Sequence, residues 1–141
     1  MTIKQISVFL ENKSGRLAEV LGSLGEKEIK INALTIADTS EYGILRLIVN
    51  DYQRAADILR SKQFTVNLTD VIAVSTPNQA GSFAKVLKAL ADDNISVEYM
   101  YAFKWGSNAS IILRPENIDI ALNVLKKHKF DLINPDDLAK L

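Results

Sequence analysis

Apolar residues along this chain follow two alternating periods. Between Ile3 and Leu10, Ile6, Val8 and Leu10 recur at every second position, which predicts a strand with one buried face. Leu17, Val20, Leu21 and Leu24 then fall at i, i+3, i+4 and i+7, one stripe of an amphipathic helix. Asn12 or Ser14 offers that helix a side-chain cap, and Gly25 or the polar run Glu26-Lys27-Glu28 ends it. Ile29 to Ala37 is apolar and β-branched, Asp38 to Gly43 is a polar turn, and Ile44 to Val49 is again strand-like, so the pair predicts an antiparallel hairpin. Ala55, Ile58 and Leu59 mark a second helix ending by Ser61, and Phe64 to Leu68 a fourth strand. The order β-α-β-β-α-β is the ferredoxin-like unit.

The second half repeats the first. Asn78, Gly81, Ile95 and Phe130 stand 66 positions after Asn12, Gly15, Ile29 and Phe64. A fixed offset over a whole chain means two copies of one structural unit. Val71 to Thr76 is the first strand of the second copy, and Pro77 closes it. Phe83, Val86, Leu87 and Leu90 repeat the helix stripe, and Ile95 to Phe103 is a strand. Trp105 to Asn108 is a turn, Ala109 to Leu113 a strand, Ile118 to Leu125 a helix, Phe130 to Ile133 a strand, and Pro135 to Leu141 a polar tail with one helical turn. The predicted domains are residues 1–68 and 69–141. The connection from Asn67 to Asp70 is too short for a flexible linker, so we expect the units to be rigidly placed.

Composition narrows the function. The chain has 17 basic and 17 acidic residues, with nine basic and eight acidic through Leu68, so neither half is a basic patch for nucleic acid. There is no cysteine, which removes thiolate metal sites and cysteine nucleophiles. The N-terminus lacks a signal-peptide pattern, and no apolar run approaches the roughly 20 residues of a membrane helix. The expectation is a soluble cytoplasmic protein.

The candidate chemistry lies where strand turns into helix. Asn12-Lys13-Ser14-Gly15-Arg16-Leu17 and Asn78-Gln79-Ala80-Gly81-Ser82-Phe83 share the spacing Asn, two residues, Gly, one residue, large apolar residue. One reading is that Gly15 and Gly81 merely permit a tight turn. The other is an anion held on free backbone N–H groups at the helix start, where a missing Cβ lets a ligand approach the main chain. The motif, met twice inside a βαββαβ unit, resembles the ACT domain over nearly the whole chain.

That resemblance implies an α+β fold of two ferredoxin-like units side by side, forming a continuous antiparallel eight-stranded sheet with helices on one face. It implies a small-molecule sensor, with an amino acid as ligand, held between paired domains against the first strand-to-helix loop. It implicates Asn12, Ser14, Gly15, Arg16 and Leu17, and in the second copy Asn78, Ala80, Gly81, Ser82 and Phe83. Asn32 resembles a family asparagine that contacts the ligand's polar groups, and its other reading is a solvated strand residue. Glu98 fills that place in the second copy and would accept from an ammonium. The proline usual before the motif glycine is absent, with Ser14 and Ala80 in its place.

Other conspicuous residues have plainer readings. His128, the single histidine, sits in a basic helix end. Trp105 belongs to a turn, and alternation sends Tyr99, Met100, Tyr101 and Phe103 to opposite faces of one strand. No spacing points to a catalytic dyad. An acylphosphatase would need its phosphate-cradle sequence, and Arg16 is answered by Ser82. An RNA-recognition module would stack bases on aromatic central strands, whereas Ile44–Val49 and Ala109–Leu113 are aliphatic. The expectation is a non-enzymatic binding protein without cofactor or metal that forms a homodimer and regulates a separate metabolic enzyme. The alternative is a protein–protein interaction scaffold of the same fold that has lost the ligand.

Overall fold

The computed structural model describes residues 1–11, 13–38 and 41–140. In chain order the elements are β1 (Ile3–Glu11), α1 (Arg16–Glu26), β2 (Ile31–Asp38), β3 (Tyr42–Val49), α2 (Tyr52–Ser61), β4 (Thr65–Thr76), α3 (Ser82–Asp92), β5 (Val97–Trp105), β6 (Asn108–Pro115), α4 (Ile118–Lys127), β7 (Asp131–Leu132) and α5 (Pro135–Ala139). Two compact units result. One holds Lys4–Thr69 and the segment from Leu138; the other holds Asp70–Asp137 with Met1–Ile3. Among the described residues no helix is long and apolar enough to cross a membrane.

In the unit of Lys4–Thr69 the strand order is β2-β3-β1-β4, antiparallel from β2 through β1. The register sets Leu34, Leu47 and Ile6 abreast, then Ile36, Leu45 and Val8, so these six share one sheet face. Side chains from both helices, among them Val20, Leu24, Ala55 and Leu59, join Ile6, Val8, Leu45 and Leu47 in one buried cluster. Both helices of this unit therefore lie on that face. The sister unit repeats the order as β5-β6-β4-β7, with Val86, Leu90, Ala121 and Leu125 packed on Ile72, Val74, Ile111 and Leu113.

The helices α1 to α4 end alike. Glu28, Gln63, Asn94 and Lys129 take φ between 59° and 68°, in the left-handed region. The next residue, Ile29, Phe64, Ile95 or Phe130, donates its N–H five residues back into the helix at 2.9–3.1 Å. These are Schellman ends closed without glycine, and each drops an apolar residue onto the helix-facing core. That geometry accounts for the recurrence of Ile29 and Phe64 at Ile95 and Phe130.

The strand count departs from expectation. Seven strands are present among the described residues, not eight, because Phe64–Leu68 and Val71–Thr76 are not separate strands. The intervening Thr69-Asp70 has no glycine or proline to turn the chain, so β4 runs through Thr65–Thr76 unbroken. The expected turn at Trp105 to Asn108 is also shorter. Trp105 pairs with Asn108, leaving Gly106 and Ser107 as a two-residue hairpin loop with φ 59° at the glycine. Trp105 packs its ring edge-on against Phe103, 6.2 Å between centroids.

Candidate functional site

Both strand-to-helix loops close in the same way. Lys13 N donates to the Glu11 carbonyl at 2.7 Å, Arg16 N to Lys13 at 3.3 Å and Glu19 N to Gly15 at 2.9 Å. The equivalents, Gln79 N to Pro77, Ser82 N to Gln79 and Lys85 N to Gly81, measure 2.8, 3.3 and 3.1 Å. Gly15 and Gly81 are the N-cap residues, at φ 88° and 84°. The cap thus falls to glycine rather than to Ser14, and Asn12 lies outside the described residues.

A glycine cap has consequences for the helix start. At α2 and α4 the side chains of Asp51 and Asn117 accept from the N–H groups of Arg54 and Ile120, closing the first turn. Glycine has no such acceptor. The intrahelical ladder starts at Glu19 and Lys85, so the N–H groups of Leu17 and Ala18, and of Phe83 and Ala84, have no intrahelical partner. They carry the positive end of the helix dipole, which favours an anion.

Beside each loop the surface is hollowed. In the first copy Leu10, Glu11, Lys13, Arg16, Leu17, Ile36 and Gly43 line about 180 Å³. In the second, Pro77, Asn78, Gln79, Gly81, Ser82, Phe83, Ala84 and Ala109 line about 280 Å³. A further hollow of about 390 Å³ shares Asn78, Phe83 and Ala109 with it and extends under the β5–β6 hairpin to Ala102, Phe103, Lys104, Ser107 and Asn108. Two side-chain hydrogen bonds brace that hairpin on β4: Thr76 Oγ1 donates to the Ala109 carbonyl at 2.8 Å and Asn108 Nδ2 to Ser75 Oγ at 3.1 Å.

Charge separates the copies. Lys13 Nζ meets Glu11 Oε2 at 2.9 Å, and this hydrogen bond, with the lysine charge, holds the Glu11 carboxyl below the usual carboxylate range. Arg16 reaches Glu19 at 3.0 Å and stacks 4.5 Å from the centre of the Phe64 ring. At the corresponding positions the second copy has Pro77, Gln79, Ser82 and Lys85, so these ion pairs have no counterpart.

Of the residues singled out from sequence, Arg16 and Leu17 line the first hollow, and Asn78, Gly81, Ser82 and Phe83 the second. Gly15 shapes its loop, while Ser14 and Ala80 are exposed and outside both linings. Asn32 and Glu98 stand apart. Each sits at a register shift near the start of its strand. Asn32 is four residues from Ile36, about 13 Å along an extended strand. Its Nδ2 donates to the Leu138 carbonyl at 3.3 Å, and Glu98 lies 3.8 Å from the Arg114 guanidinium. Sequence reasoning passed over Lys13, Ile36, Ala102, Ala109 and Asn108. The hairpin register opposite the loop would have pointed to them.

Comparison with known proteins agrees with this architecture. The chain is 46% identical to protein BT0572 from Bacteroides thetaiotaomicron, whose crystal structure matches with a TM-score of 0.94 over 100% of this chain and 98% of that one. It is 24% identical over 136 residues to the acetolactate synthase small subunit of Buchnera aphidicola subsp. Baizongia pistaciae (strain Bp), covering 86% of each. The regulatory subunit of aspartate kinase from Thermus thermophilus, in its ligand-free form, shares the fold at 16% identity, TM-score 0.62, over 89% of this chain and 92% of that one. The sequence profile described as ACT domain pair matches residues 1–141, and the chain belongs to that family.

Proposed function

We propose that this protein is a regulatory sensor that reversibly binds a small molecule, an amino acid, at the strand-to-helix loops of its ACT domains. The observation that carries this is the repeated loop: a left-handed glycine cap, first-turn N–H groups without an intrahelical partner and an adjoining hollow, at the same place in both copies. The ligand carboxylate would sit on the N–H groups of the helix start, with Asn78 and Ser82 beside it, and the apolar lining would take the side chain. The related proteins described as a small subunit and a regulatory subunit support regulation of a separate metabolic enzyme rather than catalysis.

Exposed Phe9, Leu34, Ile36 and Tyr42 support a homodimer, which a monomeric mass by light scattering at micromolar concentration would refute. A thermal-shift screen of the proteinogenic amino acids, with nucleotides and phosphate as controls, tests the function. A ligand confined to the folded state adds about 2.7 kcal/mol at a hundredfold excess over its Kd. The reading expects one amino acid, or a few related ones, to raise Tm. A flat amino-acid panel would reject it in favour of the interaction scaffold.

A further inference from the structure

Beyond β7 the chain is held at two points and exposed between them. Ile133 is buried and donates its N–H to the Ala73 carbonyl at 2.9 Å. Asn134 then caps α5: its Oδ1 accepts from the Asp136 N–H at 2.9 Å, and its carbonyl from the Asp137 N–H at 3.0 Å. Pro135, Asp136, Asp137, Ala139 and Lys140 are exposed. Leu138 is only 3% exposed, and it begins the segment that belongs to the unit of Lys4–Thr69. Five residues make too short a helix to persist alone, so α5 keeps its form only while Leu138 is docked.

The docking point is a bulge. Ile31 pairs with Val49 and Ala33 with Ile48, which leaves Asn32 as the extra residue of β2. Its Nδ2 donates to the Leu138 carbonyl, one of the last carbonyls of α5, which lack intrahelical donors. Glu98 holds the matching place in the second copy, at a like register shift, and lies 3.8 Å from Arg114. A carboxylate has no N–H to give a carbonyl, so the second copy offers no equivalent hold.

The same strand reaches the first loop. Ile36, which lines the hollow there, is four residues from Asn32, and the pairing with β3 is unbroken from Ala33 to Asp38. As an edge strand, β2 is held by β3 on one side among the described residues. Whatever orders this strand at one end therefore favours its ordered state at the other.

We propose that the C-terminal segment is a regulatory strap: Leu138, positioned by Asn32, docks it on β2, and that strand couples its docking to ligand at the first loop. This rests on the sensor reading above and adds its output. Ligand against Ile36 and strap against Asn32 stabilise the same ordered β2, so each tightens the other by the same factor. With the loop empty the strap detaches more often and exposes Leu138 and the Asn32 amide, the change that a regulated enzyme would read.

The test reads strap and ligand separately on the intact chain. Solvent exchange of the Asp137–Ala139 amides, followed by NMR, reports docking. Leu138→Asp should speed it about tenfold or more, because a buried leucine is lost, while the circular dichroism spectrum stays that of the wild type. Asn32→Glu, which gives β2 the residue its sister strand already folds with, should speed it as well. Calorimetric titration with each proteinogenic L-amino acid tests the coupling. An amino acid that binds the wild type should slow the exchange, and should bind Leu138→Asp and the milder Leu138→Ala about fivefold or more weakly. Unchanged exchange in both Leu138→Asp and Asn32→Glu overturns the docking. Equal affinity for wild type and both Leu138 variants, or a bound amino acid that leaves the exchange unchanged, overturns the coupling and leaves the sensor reading intact. No amino acid bound by the wild type overturns the sensor reading, and the regulatory role of the strap with it.

Discussion

Replacing glycine by alanine should have opposite effects at two positions seven residues apart. Gly22 lies inside α1 on its exposed side, and a Cβ added there meets nothing within 4 Å. Alanine at that site gains helix propensity and should stabilise by about 0.5–1 kcal/mol. Gly15 also has open space around a new Cβ, so no clash opposes substitution. Its φ of 88° does, because an L side chain in the left-handed region costs roughly 1–2 kcal/mol. With a urea m-value of about 2 kcal/mol/M, the midpoint should rise by about 0.25–0.5 M in Gly22→Ala and fall by about 0.5–1 M in Gly15→Ala. Both positions lie in the unit of Lys4–Thr69, so one transition reports both. Equal midpoints for Gly15→Ala and wild type would show that the loop does not need its left-handed cap. A fall in Gly22→Ala would show that sterics, not backbone preference, govern these sites.

Three further outcomes are expected. Ser110 is fully buried and its hydroxyl has no hydrogen-bond partner among the described residues, so Ser110→Ala should raise stability by about 1 kcal/mol, read by urea denaturation. The Glu11 carboxyl, held low by Lys13, should titrate below the usual range by NMR and move up in Lys13→Ala. Since its folded pKa is depressed, the pair's contribution is present above the unfolded pKa and fades as pH falls through the folded one. Asn32→Ala removes the donor to Leu138 and should speed amide exchange in α5, with a stability loss of about 1 kcal/mol.

Much of this was legible because both periods are local signals. The stripe of Leu17, Val20, Leu21 and Leu24 marked α1, and the offset of 66 carried every helix and loop into the second half. Element ends were less clear. Glu28 and Asn94 close their helices in a conformation usually given to glycine, stabilised by seating Ile29 and Ile95 in the core, which no local preference announces. The break expected near Asn67 to Asp70 failed because polar residues alone do not end a strand that has ladder partners.

The site was half visible. The glycines marked the loops, yet the walls opposite come from hairpin residues set by register, such as Ala109 against Thr76. Asn32 illustrates the limit: its partner, Leu138, is 106 residues away, and only the folded chain brings them together. The same holds for the stacking of Arg16 on Phe64, two residues far apart in the sequence.

The central claim is that the folded chain binds an amino acid at these loops. It is tested most directly by following backbone amide shifts by NMR while titrating the amino acid that raises Tm most. The account predicts saturable movements concentrated at Gly15–Ala18, at Gly81–Ala84, or at both. Movements confined elsewhere, or no movement with any amino acid, would contradict it.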